Sequence, residues 1–280
     1  MVINKAFKFR IYPTVEQVSQ IETNFNCSRF VFNHLLDRTS KAYKRRGESF
    51  SKYDLIKLIP SIKNFAQFLK QSDSIALQSS VDCLDAAYKN FFQKRAKYPQ
   101  FKKKHSKQSY ITKCFQNNIY IKGNYIKLPK LGFVKMSKSR NITGRILNVT
   151  VSRSCSNKYY ISVCCETNVE PLPVIDSVIG IDVGLKSFLN DSNGNSYFNP
   201  KYLNKYQKRL IREQRKLSRK QIGSNNRAKQ RVRLSTVHEK IANCRLDFLH
   251  KLSTQLINEN QVICIEDLRV KNMVNILLHL

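Results

Sequence analysis

Acidic residues are scarce in this sequence. Nineteen aspartates and glutamates stand against 50 lysines and arginines, a formal net charge of +31. Self-repulsion on that scale opposes compaction unless counter-ions or a partner offset it, and the abundant intracellular partner of matching charge is the phosphate backbone. The imbalance excludes a cationic partner. It does not separate nucleic acid from an anionic membrane, a ribosome or histone-like packing, which share the same charge signature.

Long apolar runs are missing too. The start, MVINKAFKFRIYPT, has charges spread through it and no stretch suited to a signal peptide or membrane span, which predicts a cytoplasmic protein with no membrane partner. The eight cysteines, at 27, 83, 114, 155, 164, 165, 244 and 264, form no CxxC pair and have no histidine at ligand spacing. No zinc site is expected, and the thiols read as reduced and buried. Internal repeats and low-complexity tracts are absent as well. Against these absences, 41% hydrophobic and 10% aromatic residues are too many for a disordered basic tail, so the chain is expected to fold, as two domains.

Residues 5–12 alternate as KAFKFRIY before Pro13, which predicts a strand with Phe7, Phe9 and Ile11 on one face. Thr14, Glu16 and Gln17 open a helix carrying Val18, Ile21, Phe25, Phe30, Val31 and Leu35, which runs to about Arg46 and ends at Gly47. Further helices are predicted over 53–59 and 75–96. The second has Ala76, Leu77, Val81, Leu84, Ala87, Tyr88, Phe91 and Phe92 on one stripe, read as core. From 101 to 166, short strands separated by Gly, Asn and Pro turns predict a small antiparallel barrel or sheet. The linker VEPLPV, 169–174, follows. Asp191 to Gly194 is then read as a turn between two strands. A helical stretch over 201–240 comes next, followed by a further helix to Glu259 and the strand QVICIEDL.

Two features carry chemistry. The strand VIGIDVG places Asp182 in an apolar run, where an unpaired carboxylate costs several kcal/mol, so a cation is expected beside it. QVICIEDL repeats the pattern with Glu266, followed by Asp267. Acid-bearing strands separated by a long basic insert suggest an RNase H-like sheet whose neighbouring carboxylates hold divalent metal for phosphodiester cleavage. The residues leave a second reading open, in which both acids end strands or pair with nearby Lys and Arg. The second feature is the basic stretch 201–240, with 14 Lys or Arg against Glu213 and Glu239. Most of those cations, Arg212, Arg215, Arg219, Lys220, Arg227 and Arg231 among them, cannot pair within the helix, and phosphate contact is expected of them. The segment 94–107 is similar. Lys102, Lys103 and Lys104 interleave there with Tyr98, Phe101, His105 and the nearby Tyr110, aromatics that either stack on bases or pack in a core.

Eight ordered blocks between residues 5 and 273 resemble the transposon-encoded TnpB family of RNA-guided nucleases, relatives of the type V CRISPR effectors: KAFKFRIYPTVEQ, SRFVFNHLL, IALQSSVDCLDAAYKNFF, IKLPKLGFVKM, GIDVGLKSF, LSRKQIGSNNRAKQR, HEKIANCRLDFLHKLST and ICIEDLRVKNM. The resemblance implies an α+β multidomain protein. Residues 1–13 and 105–170 would form a wedge-like β-barrel domain, 14–104 an inserted helical recognition domain, and 175–280 an incomplete RNase H-like (RuvC) α/β domain with a basic helical insert. It implies a prokaryotic protein, nucleoid-associated on DNA, whose partners are guide RNA and target DNA, with no small-molecule substrate.

By position the resemblance makes Asp182 and Glu266 the first and second catalytic, Mg2+-binding carboxylates, and sets Tyr53 and Gln78 where the recognition domain faces the short motif beside the target. Family members carry a third acid and a zinc-binding CxxC…CxxC insertion after the second block, and this sequence reaches Leu280 without them. The expectation is therefore a C-terminally truncated RNA-guided DNA-binding protein impaired in cleavage. The alternatives are an active endonuclease whose further segment is supplied by frameshift or in trans, a non-functional transposon remnant, or an RNA-independent DNA-binding protein.

Overall fold

The structure is a computed structural model that describes residues 1–184 and 186–266. Leu185 and residues 267–280, with Asp267 and the tail NILLHL, lie outside the described residues. The chain divides into two compact units, Met1–Val169 and Glu170–Leu280.

In the first unit, β1 (Val2–Tyr12) enters the middle of a seven-stranded antiparallel sheet. The other strands are β2 (Gln108–Lys113), β3 (Tyr120–Lys122), β4 (Tyr125–Leu128), β5 (Gly132–Met136), β6 (Arg145–Arg153) and β7 (Tyr159–Asn168), in the order β2-β6-β7-β1-β5-β4-β3. β1 pairs along its length with β7, from Val2 opposite Asn168 to Ile11 opposite Tyr159, and meets β5 only at Ile11 and Tyr12. Its alternation puts Phe7, Phe9 and Ile11 into the core, all three buried. The expected barrel is, in its hydrogen bonding, an open sheet ending at β2 and β3. A helix that starts at Ser74 lies against β2, and Thr112 Oγ1 of β2 donates to the buried Asp73 at the head of that helix.

Helix α1 (Val15–Arg46) begins in a reciprocal capping box between Thr14 and Gln17 and ends where Gly47 adopts φ 67°, a left-handed conformation that suits glycine. Ile21 and Phe25 enter the sheet core, while Val31, Phe32, Leu35 and Leu36 enter a second, helical core. That second core is shared with α2 (Lys52–Lys57), α3 (Ile59–Phe65), a 3-10 turn at Gln67–Gln71, and α4 (Ser74–Phe92). The single helix expected over 53–59 is thus two, with Pro60 in the first turn of α3. Helix α4 stops at Phe92 and not near 96, because the chain turns left-handed at Lys94 (φ 57°). Its apolar stripe is core only as far as Leu84; Tyr88 and Phe91 are half-buried and Phe92 is 75% exposed. Of the cysteines, Cys27 and Cys165 are buried, whereas Cys155 and Cys264 are exposed, which corrects the expectation that all eight are covered.

In the second unit, β8 (Val178–Asp182), β9 (Leu189–Asp191) and β10 (Ser196–Tyr197) form an antiparallel meander. After two helices, α5 (Tyr202–Ser218) and α6 (Asn225–Glu259), the strand β11 (Val262–Ile265) returns parallel to β8, giving the order β10-β9-β8-β11. The helical spacing over 201–240 is broken at 219–224, where Gly223 has φ 86° and Ser224 caps α6. From there α6 runs without interruption to Glu259. Its Leu252 and Leu256, four residues apart and so on one face, pack on Ile179 and Leu189 of the sheet.

Candidate carboxylate pair and nucleic-acid interface

β8 and β11 pair in parallel from Val262 opposite Val178 to Ile265 opposite Ile181. The next residue on each strand is an acid. Continuing that register by one step puts Asp182 and Glu266 in the same row of neighbouring strands, and residues in one row of a parallel pair project to the same face. Ile179 and Ile181 turn toward the core side, so Asp182 lies on the other side, and both acids are exposed. Among the described residues no side-chain cation pairs with Asp182, whose carboxylate ends its apolar strand exposed.

On the other flank of Asp182, Asn190 of β9 is its paired residue, with its amide oxygen taking a 3.0 Å hydrogen bond from Ser187 Oγ. Nothing in the sequence marked Asn190, because the pairing is set by the β8–β9 register. The neighbouring Asp191 is not a third open acid. It accepts from the Asn193 and Asn195 backbone N–H groups and from Asn195 Nδ2 at 2.8–3.0 Å, and these bonds, the Asn195 side chain foremost, hold its carboxyl below the usual range. Among the described residues no three His, Cys, Asp or Glu side chains gather as a metal site. Asp182 and Glu266 offer oxygen donors, the ligands a hard divalent cation takes, and their exposure leaves room for the waters such a cation retains.

α5 packs against the N-terminal half of α6, and the pairing is fixed by Glu213. The Gln230 side-chain amide, buried to 2% exposure, donates to Glu213 Oε2 at 2.7 Å and to its carbonyl at 3.2 Å. With Lys216 and Arg212 also near, that bond keeps the Glu213 carboxyl below its ordinary range. The structure separates the expected phosphate contacts. Arg215, Arg219 and Arg231 are exposed, Lys220 is half-buried, and Arg212 is exposed but shares the Glu213 carboxylate. Arg227 is half-buried, and its Nη1 donates to the carbonyls of Leu217 and Lys220, both at 2.8 Å, at the C-terminal end of α5.

In the first unit, the basic segment after α4 is tied to α1. Asn33 accepts from the Lys102 N–H at 2.8 Å and donates to its carbonyl at 3.0 Å, and Ser40 and Tyr98 share a 2.7 Å hydroxyl contact. Lys103, Lys104, Phe101 and His105 are exposed. The Lys102 ammonium lies 4.0 Å from the Phe32 ring centre, and burial holds its pKa below that of an ordinary lysine. Tyr110 cannot stack on a base; it is buried in the sheet core, edge-on to Phe25. Tyr53 and Gln78 are both exposed, on α2 and α4, which pack together.

Known proteins match this arrangement along nearly the whole chain. Residues 162–277 fit a family profile described as "Probable transposase", and residues 1–48 a companion profile described as "Helix-turn-helix domain", although here they form one strand and one helix. A Streptomyces pristinaespiralis protein named "Putative RNA-guided DNA endonuclease" is 34% identical over 277 residues, which cover 97% of this chain and 68% of the relative. "Putative RNA-guided DNA endonuclease InsQ" of Escherichia coli (strain K12) is 38% identical over 276 residues, 96% of this chain and 67% of the relative. A Cas12f1 chain from a complex with sgRNA and target DNA shares the fold, with a TM-score of 0.55 at 12% identity over 95% of this chain and 81% of that one. The matches define a transposase-associated protein of insertion sequences. The chain belongs to the TnpB-type family of RNA-guided DNA endonucleases.

No helix among the described residues is long and apolar enough to cross a membrane.

Proposed function

We propose that these 280 residues bind a guide RNA and its DNA target, with Asp182 and Glu266 as the Mg2+-binding acids of a RuvC-like domain over 175–280. In this reading 1–13 with 105–170 serve as the wedge-like domain and 14–104 as the recognition domain, whose exposed Tyr53 and Gln78 face the target-adjacent motif. The observation that carries the reading is the parallel register of β8 and β11, from Val262 opposite Val178 to Ile265 opposite Ile181, with Asp182 and Glu266 the next residues along. Asp182 and Glu266 would hold a Mg2+ ion there, which would supply an activated water and charge stabilisation at the leaving oxygen. The chain's own part is to present two carboxylates on one face, with Asn190 beside them, and to hold the polyanion through the uncompensated cations of α5 and α6.

Asp182 and Glu266 alone give a pair of Mg2+ ions few anionic protein ligands to fix their positions, so binding is proposed to outlast cleavage in these residues alone. The experiment is a plasmid assay with guide RNA and Mg2+, in which target binding and target cleavage are read separately. It is run beside a fusion of this chain to the C-terminal part of the Streptomyces relative. Guided binding by both, with cleavage only by the fusion and abolished there by Asp182→Ala, is the expected outcome. Efficient cleavage by the 280 residues refutes the impairment, and cleavage insensitive to Asp182→Ala refutes the site.

A further inference from the structure

A cavity of about 270 Å³ opens between the middle of α1 and the basic segment leading into β2. Phe25, Ser28 and Arg29 of α1 line it on one side, and Lys102, Lys107 and Gln108 on the other; among the described residues no carboxylate lines it. Arg29 Nη1 donates to Gln108 Oε1 at 3.2 Å and Nη2 to Asn26 Oδ1 at 2.8 Å. Both acceptors are neutral amides, which orient the guanidinium but leave its charge uncompensated. Gln108 is itself fixed, donating to the carbonyls of Lys104 and Ser106 at 2.7 and 2.9 Å. The Ser28 residue is 6% exposed, and its hydroxyl is buried with no hydrogen-bond partner. A folded protein rarely leaves such a group unsatisfied unless a ligand or water completes it.

We propose that this cavity receives one unstacked nucleotide of a single-stranded nucleic acid, its phosphate between Arg29 and Lys107 and its polar edge against Ser28. The proposal rests on the nucleic-acid reading above and names a subsite within it. Three cations without an acid select an anion. A bare phosphate would leave the part of the cavity beside Phe25 and Ser28 empty, and a duplex keeps its bases stacked away from it. A nucleotide splayed from a single strand fills both the cationic mouth and the partly apolar wall.

The experiment uses the full chain and labelled single strands of RNA and DNA of one sequence, with the corresponding duplex DNA as a third probe, read by fluorescence anisotropy across a salt series. Arg29→Gln and Lys107→Gln are each expected to weaken single-strand binding roughly tenfold. Each should also lower the salt slope by about 0.7, the share of one phosphate contact. Ser28→Val is expected to weaken single-strand binding while thermal stability holds or rises, since valine removes the unpartnered hydroxyl. A purely structural Ser28 would show the stability change alone. Loss confined to RNA assigns the Ser28 contact to the sugar hydroxyl, and equal loss on RNA and DNA assigns it to the base or phosphate; both support the proposal.

Lys107 is exposed, so its variant keeps the test decisive if the other two misfold. Wild-type binding with variants that bind identically overturns the subsite and spares the nucleic-acid reading. Equal weakening on the duplex reduces the cavity to a general phosphate contact and overturns the nucleotide assignment. A wild-type chain that binds none of the three probes overturns both.

Discussion

In the N-terminal unit, α1 and α4 each send side chains into two cores, one under the sheet and one among the helices, so that sheet and helices stabilise each other. The sheet of the C-terminal unit is covered, among the described residues, by the last turns of α6, and Val178, Val262 and Ile265 stay 46–73% exposed. The polar detail differs in the same direction. Buried Asn24 accepts from Ser72 Oγ and from the Asp73 N–H, and Asp73 in turn caps α4 and takes the Thr112 hydroxyl, a network joining helix to strand. The polar contacts of the α5–α6 pair instead include Glu213 with Gln230, and Arg227 on the carbonyls of Leu217 and Lys220, among many cations. One unit is a body stabilised by its own packing. The other, among the described residues, has the smaller core, and a polyanion that binds only its folded form adds proportionally more to it.

The largest expected effect lies in the first unit. Phe25 bridges α1 to Tyr110 of the sheet, and Phe25→Ala should lower the stability of that unit by about 3–5 kcal/mol, measured by urea denaturation. A loss below about 1 kcal/mol, the level of a conservative core change, would break the picture of a shared core. In the second unit, Leu252→Ala should cost about 2 kcal/mol, the low end for such truncations because a thin core relaxes around the gap. Hydrogen exchange at β8 and β11 is the readout, and added single-stranded RNA should restore part of the lost protection.

Glu213→Ala leaves the buried Gln230 amide without its carboxylate acceptor and should cost about 1–2 kcal/mol at the α5–α6 contact. Since the folded-state pKa of Glu213 is lowered, this contribution is full at neutral pH and fades as pH falls through that lowered value. The smallest effect concerns Asp191. Its folded-state pKa is also lowered, so Asp191→Asn should weaken the β9–β10 turn at pH 7, and the gap between variant and parent should close as the solution is made acidic, below about pH 4. A gap that widens on acidification would contradict the sign.

Local pattern made much of the fold legible. The period-2 run ending at Pro13 gave β1 and its buried face, and Thr14 and Gly47 marked the two ends of α1. Fates decided by tertiary partners were not legible. Tyr110 reads like an aromatic in a basic segment, yet Phe25 and the sheet enclose it. Arg227 reads like one more cation, yet the open carbonyls of α5 take it up. The acids Asp182 and Glu266 were found as strand-ending carboxylates. The β8–β11 register that brings their strands side by side is encoded by no single-strand pattern, and Asn190, paired with Asp182, was invisible for the same reason.

The most direct measurement of the central claim is the salt dependence of guide-RNA affinity, taken for the parent chain and for Arg215→Gln/Arg219→Gln/Arg231→Gln. The account predicts a steep linear fall of log K with log salt for the parent, and a slope shallower by up to about 2–3 in the triple variant as phosphate contacts are lost. A parent chain with salt-insensitive affinity, or a triple variant with the parent's slope, would contradict it.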